Sequence, residues 1–501
     1  MSPRPLSLDS RLSRRQLLLG GGGLVGLASL SACTGGTPAP AARLIAPDGR
    51  EVLAAEQART AANARVIPFS LRAAPTTLDL GGVTVDTWAY GDQLPGPLLR
   101  ATAGDILQVA VANDLPQETT VHWHGLALRN DVDGVPGMTQ DPIPAGAAMT
   151  YRFALAHPGT YWFHPHVGLQ LDRGLYAPLV IDDPGETGAY DEEHIVVLDD
   201  WLDGTGRTPD EVLADLQANG MAMDMGGGGP PASDILGGDV GDVEYPLYLI
   251  NGRSAESPNT VRSAPGRRLR LRFINAGSDT AFRVALGGHR MTVTHTDGFP
   301  VIPVEGDVLL VGMGERVDVL VTLLDGVFAL VALAEGKDSL ARELIRTGAG
   351  TAPSVGALPA ELDGQLITVH DLRATDEVFL PERRPDRTHD LVLGGGMDGY
   401  SWTINDRTYR EREPLQIRAG ETVRLRLRNR TTMFHPMHVH GHTFQVRGEK
   451  GAGARKDTLM VLPMETITVD LVADNPGQWL VHCHNIYHGE SGMMTQLSYV
   501  D

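Results

Sequence analysis

Three stretches of the chain repeat one hydropathic pattern: a glycine, then alternating apolar and polar residues, then an asparagine nine positions later. They run from Gly104 to Asn113, Gly266 to Asn275 and Gly420 to Asn429. The apolar positions are Ile106, Val109 and Val111 in the first, Leu269, Leu271 and Phe273 in the second, and Val423, Leu425 and Leu427 in the third. Alternation of this kind marks a half-buried strand, because successive side chains point to opposite faces of a sheet. Turn residues follow each stretch. The copies recur about every 150 residues, too long a period for a solenoid and a suitable one for a β-sandwich. The pattern therefore predicts an all-β chain holding three copies of one sandwich domain in tandem.

Length and composition agree. At roughly 150 residues per domain, 501 residues make about three domains. The 59 glycines and 33 prolines are many breakers for a mostly helical protein. We assign 65–186 to the first copy, 187–350 to the second, and 351–501 to a linker with the third. Asp182-Asp183-Pro184-Gly185-Glu186 closes the first copy, while Gly348 to Gly356 and Arg383 to Asp390 bracket the linker. Within the second copy, Met221-Ala222-Met223-Asp224-Met225 runs into four glycines and two prolines, which predicts a mobile loop.

The amino terminus reads as an export signal over residues 1–32. Ser13-Arg14-Arg15-Gln16-Leu17-Leu18 is a twin-arginine pattern, and the apolar run Leu17 to Leu30 is too short to span a bilayer comfortably. Leu30-Ser31-Ala32-Cys33 resembles a bacterial lipobox. The expectation is export by the twin-arginine translocase, cleavage before Cys33 and a lipid on that cysteine, which would place the protein on the outer face of the cytoplasmic membrane. A cysteine that merely lies near the cleavage site is the alternative. The low-complexity stretch from Thr34 to about Ala42 opens a tether that we extend over residues 33–64.

Cys483 is the only other cysteine, so a lipidated Cys33 leaves no disulfide; stability must then come from the core and from metal. The formal charge is −20, and removing Met1 to Ala32, with four arginines and Asp9, leaves −23. Such a surface repels nucleic acid and attracts cations, although solubility alone would also account for it.

Candidate chemistry lies in four His-x-His pairs. His122/His124 and His438/His440 each begin nine residues after a repeat asparagine, Asn113 or Asn429. His164/His166 and His482/His484 each begin five residues after a Pro-Gly turn, with Trp162 or Trp479 shortly before. The matching positions after Asn275 are Val284 and Leu286, so the second copy is expected to be a spacer without ligands. On a strand each pair presents two imidazoles to one face. Eight imidazoles suit copper, zinc, iron or nickel.

Cys483 narrows the choice. Lying between His482 and His484, it should point its thiolate to the opposite face, so that one strand serves two sites. His435, His488 and Met493 complete a two-histidine, cysteine and methionine set, the combination of blue-copper electron-transfer sites. The isolated His157, His194, His289, His295, His370, His389 and His442 carry no such pattern and are set aside.

The motifs His122-Trp-His124-Gly125, His164-Pro-His166, His435-Pro-x-His438-x-His440-Gly441 and His482-Cys-His-x-x-x-His488-x-x-x-x-Met493 together resemble the multicopper oxidases, over essentially the whole mature chain. Within that family the sequence is most similar to actinobacterial copper-resistance oxidases exported as twin-arginine lipoproteins. The resemblance implies three cupredoxin-like Greek-key β-sandwich domains with a copper cluster clamped between the first and third. It implies four copper ions: a type 1 copper on His435, Cys483, His488 and Met493, a type 2 copper on His122 and His438, and a type 3 pair on His124, His164, His166, His440, His482 and His484. It implies one-electron oxidation of Cu(I), Fe(II) or phenols coupled to reduction of dioxygen to water, in copper resistance.

Asp133, eleven residues after His122, matches the family's acidic proton relay and also fits a turn residue in Asp131-Val132-Asp133-Gly134. A second family carboxylate directly follows the last type 1 histidine. That position is Gly489 here, and Glu490, one place late, is expected to face elsewhere. Met221, Met223 and Met225 are soft donors that could deliver Cu(I), and equally fit an insertion with no metal role. The competing function is an envelope copper-binding or electron-transfer protein without oxidase turnover, which would have no use for the eight-histidine set.

Overall fold

The computed structural model describes residues 42–186, 188–220, 233–396, 399–448 and 451–501. The twin-arginine segment, Cys33, and Met221, Met223 and Met225 lie outside the described residues. Among the described residues, no helix is long and apolar enough to cross a membrane.

Each predicted repeat is a strand: Ile106–Asn113, Arg268–Asn275 and Thr422–Asn429. Each has a parallel neighbour on one side, Val66–Asp79, Glu192–Trp201 or Arg387–Gly396. Each has an antiparallel neighbour on the other, Ala148–Ala154, Arg316–Thr322 or Thr466–Val472.

The repeat residues do one job three times. Gly104, Gly266 and Gly420 turn the chain with φ of +94°, +81° and +86°, a region that strains any residue with a Cβ. The asparagine side chains plug the far end of each strand. Asn113 donates to the carbonyls of Gln117 and Ile143, Asn275 to Thr280 and Val311, and Asn429 to Met433 and Val461. The amide oxygen accepts from the N–H two residues on, at Leu115, Gly277 or Thr431. Those buried backbone groups would cost about 1–3 kcal/mol each if left unpaired. The turn so held leads into the strand that carries the histidine pair in the first and third copies.

Among the described residues, six sheets arise in three successive pairs, of four and four, seven and six, and six and five strands. The first pair shares a core of Leu71, Val109 and Phe153 from one sheet with Leu99, Trp123 and Phe163 from the other. The cores of the second and third pairs merge into one continuous cluster. The predicted alternation holds in the third copy, where Val423, Leu425 and Leu427 are buried while Arg424 and Arg426 reach out to Asp470 and Asp390. In the second copy the polar face is buried too. Arg270 and Arg272 share Asp318, which also accepts from Thr160 Oγ1 of the first copy. Protein takes the place of solvent on that face.

One expectation needs correction. The tether does not extend over residues 43–64. Ile45 N–H donates to the Tyr499 carbonyl, and the helix Arg50–Arg59 buries Val52. Ala154 N–H donates to Glu56, and Arg59 Nη1 donates to Asn475 Oδ1. This segment is a clasp joining the first copy to the third, built from contacts far apart in sequence that composition does not register. The strand Arg387–Gly396, which opens the third copy's sheet, begins within the Arg383 to Asp390 segment that brackets the linker.

Candidate metal centres

The strand His435–Val439 pairs with Gln478–Cys483, setting Met437 opposite Cys483 and His438 opposite His482. Cys483 turns to the opposite face from its flanking histidines. Its Sγ lies 3.7 Å from His435 Nδ1 and 3.7 Å from His488 Nδ1, and the two nitrogens are 3.1 Å apart. His488 returns to the cysteine because the short helix Ile486–Glu490 starts just beyond the strand, its end capped by Asn485. Met493 is tied to both residues through its backbone, accepting from Cys483 N–H and donating to the His488 carbonyl, and its side chain is fully buried.

Around this set, Trp402 lies over the His488 ring at 4.0 Å between centroids. Asp242 accepts from His488 Nε2 at 2.8 Å and from the Tyr400 hydroxyl at 2.6 Å. Burial opposes a charged His488, yet the bond to Asp242 and the neighbouring Cys483 outweigh it and raise the imidazole to about 10. Copper on Nδ1 would displace that proton, and the Asp242 carboxylate would then fix the ring through Nε2 and offset the charge of the metal. Asp242 escaped the sequence reading: it is 246 residues from His488 and belongs to no repeat.

The other eight histidines share a single chamber. His122, His164 and His166 form one metal-competent group, His122, His124 and His438 another, then His124, His164 and His484, and His166, His440 and His482. Within each group the ligand atoms lie within 4.8 Å of one another. The pairs from equivalent strands stack face to face, His122 on His440 and His124 on His438, each at 3.8 Å. The repeat seen in sequence is thus a pseudo-twofold arrangement in space.

Outward bonds fix which nitrogen faces the chamber. A carbonyl only accepts, so Nδ1 of His122, His164, His438 and His482 must carry the proton given to the carbonyls of Asp133, Pro165, Asp457 and Cys483. The inward nitrogens are left with lone pairs. Among them His122 Nε2, His164 Nε2, His166 Nε2, His438 Nε2 and His124 Nδ1 are buried without a hydrogen-bond partner. His440 Nε2 and His482 Nε2 face each other at 3.1 Å. Burial holds His124, His164, His166, His440, His482 and His484 well below the usual histidine range, so they are neutral and able to ligate. Unpartnered buried donors aimed at one another are what bound metal ions require. The all-imidazole chamber beside a thiolate set suits copper.

Asp133 is both a turn residue and a contact of the chamber. It ends the turn Asn130–Val132, and its carboxylate lies 3.2 Å from His122 Nδ1 and 2.9 Å from His440 Nδ1. Gly134 permits this, since a Cβ there would overlap the Val121 backbone just before His122. Glu490 is solvent-exposed, and it also borders a cavity lined by His164, His166, His482 and His484.

The second copy is more than a spacer. It supplies none of the grouped histidines named above, yet Arg316 donates through both terminal nitrogens to Asp457, whose Oδ1 lies 3.2 Å from His124 Nε2. Neither residue stood out in the sequence, where 141 positions separate them. Several histidines set aside earlier have ordinary partners: His194 meets Glu343, His389 a carbonyl, and His442 the Tyr499 hydroxyl.

Family profiles described as multicopper oxidase match residues 73–186, 192–351 and 382–501. The chain is 49% identical to the multicopper oxidase MmcO of Mycobacterium tuberculosis, over 99% of this chain and 98% of that one. It is 29% identical to a copper resistance protein A homologue of Pseudomonas syringae, over 86% and 92%. In structure it is similar to the laccase from Botrytis aclada, with a TM-score of 0.73, 25% identity, and 87% and 88% of the two chains covered.

Proposed function

The chain belongs to the multicopper oxidase family, copper oxidoreductases with dioxygen as acceptor, and from that premise we propose that it draws electrons from a donor beside His488 and delivers them to dioxygen at the eight-histidine chamber. In this reading His435, Cys483, His488 and Met493 hold a type 1 copper. His122 and His438 hold a type 2 copper, and His124, His164, His166, His440, His482 and His484 a type 3 pair, four copper ions in all. Copper bound in these sets supplies one-electron transfer at the sulfur site and the four-electron reduction of dioxygen at the chamber.

The observation that carries the reading is a single tripeptide. Cys483 faces His435 and His488, while His482 and His484 on either side enter the chamber groups with His440 and with His124 and His164. Covalent bonds therefore connect the two centres over the shortest possible span. Asp133, touching His122 and His440, is placed to hold and pass on a proton, of which reduction of one dioxygen to water consumes four. The chain's own dry packing keeps bulk water off the thiolate: His435, Cys483 and His488 are all fully buried.

We take the donors to be Cu(I), Fe(II) or phenols, in the service of copper resistance. The relative described as a copper resistance protein supports the role. Export by the twin-arginine route, lipidation of Cys33 and residence on the outer face of the cytoplasmic membrane rest on the motifs alone, as does Cu(I) capture by Met221, Met223 and Met225.

The test is oxygen uptake by copper-loaded protein with Cu(I), Fe(II) and a substituted phenol, side by side with His482→Ala. The wild type should consume oxygen with at least one donor, and the variant should keep its blue colour while consuming none. A fully metallated wild type that consumes no oxygen with any donor would leave only the copper-binding reading.

A further inference from the structure

Among the described residues, Arg316 is the one cation whose side chain joins all three copies beside the chamber, and it is fully buried. It stands at the start of the strand Arg316–Thr322. Its Nε donates to the Thr160 carbonyl of the first copy at 3.2 Å, and its Nη1 to the Gly314 carbonyl of the second at 3.0 Å. The remaining fork grips the Asp457 carboxylate of the third copy, with Nη1 2.7 Å from Oδ1 and Nη2 bonded to Oδ2. A bidentate guanidinium–carboxylate pair fixes the carboxylate's rotation as well as its charge.

Asp457 in turn faces two chamber histidines. Its Oδ1 lies 3.2 Å from His124 Nε2 and 3.4 Å from His438 Nδ1. Thr458 links the same atoms, its hydroxyl donating to Asp457 Oδ1 at 2.9 Å and lying 3.0 Å from His124 Nε2. His124 differs from its neighbours in that the outward nitrogen is Nε2 and the partnerless inward nitrogen is Nδ1. The ring must therefore be turned the other way round from those of His122, His164 and His438, and the acceptors at 457 and 458 hold it so.

The surrounding glycines make room for this device. A Cβ on Gly125, directly after His124, would overlap the Arg316 and Asp457 side chains. A Cβ on Gly314 would come within 2.8 Å of the His484 ring and 3.1 Å of His124. The loop leading into Arg316 thus presses on the chamber from the second copy.

We propose that Arg316 is a positioning residue for the chamber: by locking Asp457 it sets His124 to offer Nδ1, and so makes the second copy part of the metal centre. The proposal rests on the copper reading above, and concerns only the chamber and not the sulfur site.

The test compares Arg316→Lys, which keeps the charge and loses the fork, with Asp457→Asn and the double variant, all copper-loaded. Loss of such an outer partner weakens metal binding about 10–100-fold. The expected result is chamber copper lost to a competing chelator at about 10–100-fold lower chelator concentration, a reduced or altered chamber electron-paramagnetic signal, and an unchanged blue band. The double variant should be no worse than the worse single one, because both break one contact. Arg316→Lys with wild-type retention of chamber copper would overturn the proposal, as would equal loss from both centres or additive effects. If Arg316→Lys does not accumulate folded, Asp457→Asn decides by the same readouts. A wild type without a blue band would instead refute the copper reading itself.

Discussion

Replacing Asp133 with asparagine separates holding a ligand from handling a proton. The carboxylate meets two imidazoles, with Oδ2 2.9 Å from His440 Nδ1 and Oδ1 3.2 Å from His122 Nδ1. His122 does not depend on it, because its Nδ1–H already donates to the Asp133 main-chain carbonyl at 2.9 Å, a bond the substitution leaves intact. An asparagine can turn its amide oxygen towards His440 and keep that bond as well, at roughly half the strength of a charge-assisted one. The loss in copper retention is then that of one weakened outer contact, at the low end of about 10–100-fold. The amide cannot carry a proton at working pH, so proton handling disappears, and a general acid or base contributes about 10²–10⁴-fold. Copper per chain and blue absorbance should therefore stay near wild type under saturating copper. Anaerobic bleaching of the blue band by a donor should be unaffected, while steady-state oxygen uptake falls about 10²–10⁴-fold. Oxygen uptake within about threefold of wild type would show that Asp133 only positions His440.

Three further outcomes follow from particular contacts. Gly125→Ala places a Cβ against Arg316 and Asp457 at a φ of +86°, so beyond about 1–2 kcal/mol of backbone strain it should diminish the chamber signal relative to the blue band. Asp242→Asn weakens a charge-assisted contact to His488; copper should leave the sulfur site at about tenfold lower chelator concentration, equivalent to ~1.5 kcal/mol, while chamber copper is retained. Deleting residues 43–59 uncovers the site of Val52, worth roughly 2 kcal/mol, and should lower the thermal midpoint by about 4–8 °C while the blue spectrum is retained. An unchanged midpoint would mean that the clasp contributes nothing.

The copper-ligand candidates were legible because strand geometry writes them locally. Residues two apart share a face, so His122/His124 or His482/His484 announce a site without knowledge of the partner strand, and the odd Cys483 announces a second one behind it. The repeat was legible for a similar reason: Asn113, Asn275 and Asn429 each satisfy backbone groups that recur wherever the same turn recurs. What escaped depends on contacts made across the fold. Asp242 reaches His488 across 246 positions, and Arg316 meets Asp457 across 141. A lone acid or arginine carries no spacing that would mark it. The clasp at residues 43–59 was misread because its helix is held by Glu56 and Arg59 contacts to distant strands and not by a pattern of its own.

The thiolate of Cys483 serves one centre while its neighbours His482 and His484 serve another. The most direct measurement is the visible absorption and copper content of the loaded protein beside Cys483→Ser. The wild type should show an intense blue band, and the variant should lose that band together with one copper per chain while the chamber copper remains. A wild type without the band, or a variant that keeps it, would contradict the assignment of Cys483.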